Sequence, residues 1–285
     1  MTDNIPYLKM NGLGNDFVVI DARQNPYQFT PKQIRAISNR DSGIGCDQFI
    51  VLQNPPKGAD VFMRIYNYDG GEVEACGNAT RCIAALIGKE KNKDEIIIAT
   101  SVGFLPSKIA GEIISVDMGE PLFAWDKIPL SEEFKDTRGI ELQVGPIDNP
   151  ILHTPAVVNV GNPHAVFFVN NDPDDYELNL FGPMLENHPI FPERANISIA
   201  QITAPDEIKL RVWERGVGLT KACGTAACAV AVCASRLGHT SRKTAIDLPG
   251  GRLLLEWRES DNHIIMSGAY SLDGSGEITN ELLNV

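Results

Sequence analysis

The chain has 285 residues, 43% of them hydrophobic and 22% charged, and a formal net charge of −12. That length suits two domains better than one core. The acidic balance argues against nucleic acid or an anionic membrane as the main partner, since both need a basic face.

The start, MTDNIPYLKMNG, lacks a basic stretch followed by an apolar one, so no signal peptide is expected. No run approaches the ~20 apolar residues of a spanning helix, and the expected address is cytoplasmic. Six cysteines in this length do not make a disulfide framework and are expected as thiols. In chain order, Asp16–Asp21 is an apolar, β-branched run and reads as a buried strand. Pro31–Asn39 suits a helix with proline in its first turn. Phe49–Leu52 and Ala59–Asn67 read as strands, and Asn67–Gly71 (NYDGG) as a turn. Ala79–Gly88 reads as a helix with a glycine C-cap. Residues 120–150 carry prolines and charges with little periodicity and read as a connection plus an edge element. Ala165–Val169 is again a strand, and Ala226–Gly238 a second helix capped by glycine. Both helices are small-sided and apolar nearly all round, which fits a helix buried in a domain with strands wrapped about it.

The two halves share an offset of 147 positions. It places Leu13-Gly14-Asn15 on Val160-Gly161-Asn162, and Arg64-Ile65-Tyr66 on Arg211-Val212-Trp213. It also places Gly71 on Gly218, Ala75 on Ala222, Cys76 on Cys223, Gly77 on Gly224, Ala79 on Ala226 and Gly103 on Gly250. The expectation is therefore α/β (α+β) architecture in two similar domains, 1–121 and 122–275, with 276–285 crossing back to the first.

Cys76 and Cys223 each sit at the mouth of one of these helices, before a glycine. A helix start exposes unpaired N–H groups and about half a positive charge. That environment is expected to lower a thiol pKa and to hold an anion such as a carboxylate. Cys82, Cys228 and Cys233 lie inside the helices and read as small packed hydrophobes, as does Cys46. A zinc site is disfavoured, because five residues separate Cys76 from Cys82 and four separate Cys223 from Cys228. No C-x-x-C redox motif is present. The remaining reading uses the duplication: one thiolate removes a proton from a carbon and one thiol returns a proton to its opposite face. No G-x-G-x-x-G or G-x-x-x-x-G-K-[ST] fingerprint occurs, and no cofactor or metal is expected.

Six segments, LKMNGLGNDFVVID, RDSGIGCDQ, YNYDGGEVEACGNATRC, VGNPHAV, FPERANI and WERGVGLTKACGTAACA, together resemble the diaminopimelate epimerase family. The resemblance implies two pseudo-symmetric domains, each a mostly antiparallel sheet wrapped round a central helix, with the active site in the cleft between them. It implies cofactor-independent interconversion of LL- and meso-diaminopimelate, in lysine and peptidoglycan precursor synthesis, by a homodimer. Carried over by motif, Cys76 and Cys223 match the base and acid. The N–H groups of Gly77, Asn78, Gly224 and Thr225 match the carboxylate cradle, and Asn15 and Gln48 match contacts near the reacting end. Asn67, Asn162, Asn196, Glu214 and Arg215 match contacts to the distal amino acid, with His164 an auxiliary near the thiols. Read without the family, each polar residue is as open to a structural role, since Asn15, Asn67 and Asn162 lie beside glycines or turns. Asn11, Ala79, Ala226 and Leu219 depart from the commonest family pattern.

Overall fold

The computed structural model describes residues 4–73 and 76–284; Ala75, paired with Ala222 in the repeat, lies outside them. The chain divides into two compact units, Met1–Asp117 with Gly268–Val285, and Met118–Ser267. The sequence reading placed these limits at 121 and 275.

In the first unit, β1 (Ile5–Gly12) and β2 (Asn15–Asp21) form an antiparallel hairpin. Its two loop residues, Leu13 and Gly14, have φ of +60° and +82°, the pattern of a type I′ turn that matches strand twist. Asn11 Oδ1 accepts the Gly14 N–H at 2.8 Å, which closes the turn. α1 (Pro31–Ser38) starts on a Thr30/Gln33 capping box with proline in its first turn. It leads to β3 (Gln48–Gln53), parallel to β2. β4 (Val61–Asn67) returns antiparallel to β3 and carries the short β5 (Glu72–Val73). α2 (Gly77–Lys91) then crosses to β6 (Glu95–Thr100), parallel to β4. β7 (Gly103–Ala110) and β8 (Ile113–Asp117) complete an antiparallel meander.

The second unit begins with a stretch that does more than connect. Ile128, Leu130, Ile140, Leu142 and Val144 are buried with Phe167, Leu178 and Ile197 in one cluster. β9 (Gln143–Val144) and β10 (Leu152–His153) form a two-stranded ribbon within it. From there β11 (Ala156–Asn159), β12 (Pro163–Val169), α3 (Leu178–Glu186), β13 (Asn196–Ala204), β14 (Glu207–Glu214) and β15 (Gly218–Leu219) follow. α4 (Gly224–Leu237), β16 (Lys243–Leu248), β17 (Gly251–Trp257) and β18 (Ile264–Gly268) complete it. The pairings repeat those of the first unit one for one. β11–β12 is antiparallel, β12–β13 parallel, β13–β14 antiparallel, β14–β16 parallel and β16–β17–β18 antiparallel. Finally β19 (Ser271–Ile278) pairs antiparallel with β1, and α5 (Asn280–Leu283) lies by α1, where Gln33 Nε2 donates to Leu283 O.

Each sheet packs one face on its long helix. In the first unit Phe17, Val19, Ile50, Leu52, Met63 and Ile65 meet Cys82, Ile83 and Ile87 of α2. The alternate residues Val18, Ile20, Phe49 and Val51 meet Ile34 and Ile37 of α1. Both faces of β2 and β3 are thus buried, which is why their sequences read as continuous apolar runs. Burying one such side chain contributes roughly 1.5–3 kcal/mol.

Two expectations need correction. α2 continues past Gly88 to Lys91, and its left-handed cap is Asn92, φ +52°. Gly88 serves packing instead: a Cβ there would lie 2.1 Å from Ile109 Cδ1 and 2.8 Å from Lys93 O. Gly238 does cap α4, with φ +74°. The partner of Gly103 (φ +139°) is Gly251 (φ +140°), not Gly250, since each opens its strand from a tight turn in the same register.

Candidate functional site

In the first unit the hairpin turn and the start of α2 meet closely. A Cβ on Gly12 would lie 3.0 Å from Asn78 O, so the backbones approach only because residue 12 is glycine. Cys76 is the N-cap of α2 in extended conformation (φ −146°, ψ 110°) and half-buried. Its carbonyl accepts from both Thr80 N and Thr80 Oγ1 at 2.9 Å. Its thiol donates to Asn15 Oδ1 at 3.7 Å, and Asn15 Nδ2 donates to Asp47 Oδ2 at 3.2 Å. Asp47 is in turn held by Arg40, which also pairs with Asp16 at 2.8 Å. Lys9 joins this group through Asp16 at 2.7 Å and the Gly45 carbonyl. Despite partial burial, these cations hold the Asp16 carboxyl well below the usual carboxylate range.

At the ends of β3 and β4, Gln48 Nε2 donates to Asn67 Oδ1 at 3.1 Å. Gln48 Oε1 is buried with no partner among the described residues. Gly77 and Asn78 are buried in the first turn of α2, which carries no acidic residue. The first N–H groups of such a helix have no intrahelical acceptor and suit an anion.

In the second unit Cys223 is the N-cap of α4 (φ −132°, ψ 113°) and is 6% exposed. Its Sγ lies 3.4 Å from Thr225 Oγ1. Here the expected lowering of the thiol pKa is overturned. Burial and the Glu214 carboxylate push the Cys223 thiol well up, outweighing the Thr225 and Ala226 hydrogen bonds. Glu214 accepts from Thr220 Oγ1 at 2.5 Å.

His164 is fully buried on β12. Burial and the nearby Arg215 charge lower its pKa to about 3, so the ring is neutral. Nε2 lies 2.7 Å from Asn162 Oδ1, an acceptor only, which assigns the proton to Nε2; Nδ1 is buried with no partner among the described residues. Asn196 gives one donor and one acceptor of its amide to the scaffold, donating to Pro163 O and accepting from Arg215 N, which leaves a second N–H on the amide. The Arg215 guanidinium donates to Glu193 O at 3.0 Å.

The structure thus gathers Cys76, Asn15, Gln48, Asn67, Gly77 and Asn78 in the first unit. It gathers Cys223, Gly224, Thr225, Glu214, Asn162, His164, Asn196 and Arg215 in the second. The strand registers make Gln48 the counterpart of Asn196, because Phe17 faces Gln48 as His164 faces Asn196. Cys82 and Cys233 are fully buried inside the helices, with thiols pushed up to about 12. Cys46 donates to Ser38 Oγ. Sequence reading did not single out Asp47, which orients Asn15, or Thr220, which holds Glu214. Asp47 stands beside Gln48 within the GCDQ segment, and that adjacency is the signal available. Asn11, a departure from the family pattern, fills a structural role that Asn159 Oδ1 repeats on Gly161 N at 2.8 Å. Leu219, on β15, pairs with Trp213 of β14 and is exposed.

Solved structures define the class. A hydroxyproline epimerase from Agrobacterium vitis superposes with TM-score 0.67 at 11% identity, covering 97% of this chain and 93% of that one. A PhzF-family phenazine biosynthesis protein from Bacillus anthracis gives TM-score 0.66 at 17% identity, covering 98% and 100%. The fold is thus the two-domain, sheet-dominated α+β fold of the PhzF and proline racemase type.

The family model described as diaminopimelate epimerase matches residues 7–124 and 156–272. Proteins named diaminopimelate epimerase from Methylorubrum extorquens and from a Bradyrhizobium species are 52% and 51% identical. The alignments cover 98% and 96% of this chain, and 96% and 94% of those proteins. The chain belongs to the diaminopimelate epimerase family and is an isomerase of the amino-acid racemase/epimerase class.

Proposed function

We propose that the chain epimerises LL-diaminopimelate to meso-diaminopimelate without a cofactor, Cys76 and Cys223 serving as the two proton-transfer groups. The observation that carries this reading is the matched placement of the two thiols. Each is the N-cap of the long buried helix of its unit, in extended conformation, with its side chain uncommitted to capping. A side chain that does not cap leaves the N–H groups of Gly77 and Asn78, and of Gly224 and Thr225, to receive a carboxylate. Those donors stabilise negative charge growing on the carboxylate as the α-proton leaves, the step that limits an amino acid lacking a cofactor. A raised pKa keeps Cys223 protonated, the form a proton donor requires. Asn15, Gln48, Asn67, Asn162, Asn196, Glu214 and Arg215 would contact the two amino-acid ends, with His164 auxiliary. Neutral amides suit zwitterions, and a guanidinium suits a carboxylate.

A place in lysine and peptidoglycan precursor synthesis, a cytoplasmic address and a homodimer belong to the same proposal. No helix among the described residues is long and apolar enough to cross a membrane. The test is solvent deuterium exchange into diaminopimelate, with proline as control substrate. Cys76→Ala and Cys223→Ala each abolish epimerisation, while Cys82→Ala retains it. Full turnover by either of the first two would end the two-thiol scheme.

A further inference from the structure

The first turn of α2 contains a feature that the second unit lacks. Arg81 is 0% exposed, the largest fully buried side chain among the described residues. Its counterpart under the repeat offset is Cys228, also fully buried. Arg81 Nη2 donates to Asn78 Oδ1 at 3.0 Å, and Nε donates to Ala269 O at 3.4 Å. Helical side chains lean toward the N-terminus, so the guanidinium lies level with the first turn, one turn ahead of its own Cα. Ala269 is the second residue after the chain re-enters the first unit at Gly268.

We propose that Arg81 is a positioning residue for the reaction assigned above: it locks the first turn of α2 beneath Cys76 and sets a permanent positive charge there. Resting on that reading, the inference gives the thiol and the carboxylate cradle a common support. With its side chain held by Arg81, Asn78 presents its backbone N–H in one orientation. The cation adds to the partial positive charge of the helix start, where aligned N–H dipoles alone supply about half a charge. At Cys82, the next residue on the helix, burial pushes the thiol up and the Arg81 charge acts in the opposite sense. Charged groups near this turn among the described residues include Asp273 on β19, felt at Cys82, and Asp47, which holds Asn15 and is paired with Arg40, with Lys9 and Asp16 beyond it. The carboxylates act against the thiolate, and the guanidinium, held at the first turn by Asn78, acts for it.

The test is the pH profile of iodoacetamide labelling at Cys76, followed by peptide mapping of the full chain. Arg81→Met moves the labelling midpoint up by about one pH unit and lowers kcat for diaminopimelate about tenfold more than it raises KM. Arg81→Lys keeps the charge, loses the fork, and restores most of the midpoint. An unmoved midpoint in Arg81→Met, or a shift in Arg81→Lys as large as in Arg81→Met, would overturn the proposal. If Arg81→Met does not fold, Arg81→Lys decides: a midpoint within about 0.3 unit of the parent supports the charge role, and a full-unit shift refutes it. Labelling does not need turnover, so a shifted midpoint in a chain that leaves diaminopimelate unchanged would retain the role of Arg81 and reject the activity.

Discussion

His164 makes a quantitative prediction about acid stability. Its pKa is lowered from 6.5 to about 3 because the ring is fully buried beside the Arg215 charge. The sign follows from linkage: below 6.5 the unfolded chain binds a proton that the folded chain refuses, so stability is complete above about pH 7 and is lost as pH falls toward 3. Each pH unit in that window removes about 1.36 kcal/mol. At pH 5, one and a half units below the unfolded value, the loss is about 2 kcal/mol. Replacing His164 by Phe, the residue its counterpart Phe17 already uses in the first unit, removes the titration and keeps an aromatic in the core.

The three tryptophans, Trp125, Trp213 and Trp257, all lie in the second unit with His164. Their fluorescence in urea therefore reports on the unit that matters. Going from pH 7.5 to pH 5, the parent should lose about 2 kcal/mol more than His164→Phe. The double difference cancels every other titrating group common to both chains. Equal pH dependence in parent and variant would refute the assignment of a neutral, proton-refusing imidazole.

Gly88→Ala gains up to about 1 kcal/mol of helix propensity but drives a methyl into Ile109 and the Lys93 carbonyl. Net destabilisation of about 1–2 kcal/mol is expected in thermal melts, reduced by adding Ile109→Val. Glu214→Gln removes a carboxylate that raises the Cys223 thiol, so the pH midpoint for labelling Cys223 should fall, measured by peptide mapping; an unmoved midpoint would leave burial as the sole cause.

The α+β class and the long helices were legible because the signals are local or periodic. Both faces of β2 and β3 are buried, which yields unbroken runs such as FVVI and FIVL. Cys76 and Cys223 stood out because the repeat offset aligns them. What escaped is what depends on tertiary contact. Gly88 looks like a cap by composition, yet its role is set by Ile109, twenty-one residues away. The thiol of Cys223 was expected to be acidic from its helix start alone. Burial and Glu214 override that local field, and neither is visible in the KACGTAACA segment itself.

The same strand pairings built twice do not make the same chemistry twice. Where the first unit places Phe17 and Ile50 on the face toward its helix, the second places His164 and Ser198. Gln48 and Asn67 give way to Asn196 and Glu214, and Arg81 gives way to Cys228. Among the described residues, a buried guanidinium thus lies by one helix start and the Glu214 carboxylate by the other. A reaction that starts with one sulfur charged and one protonated is favoured when the two halves differ in proton affinity. The backbone repeat fixes where each thiol stands on its helix, and the unmatched polar residues make the two differ in proton affinity. On this argument, making the halves more alike is harmful even where packing improves. Cys228→Arg in the second unit, or Glu214→Asn to match Asn67, should erode the difference between the two labelling midpoints and turnover with it. A variant that equalises the midpoints and keeps full turnover would show that the asymmetry has no part in the reaction.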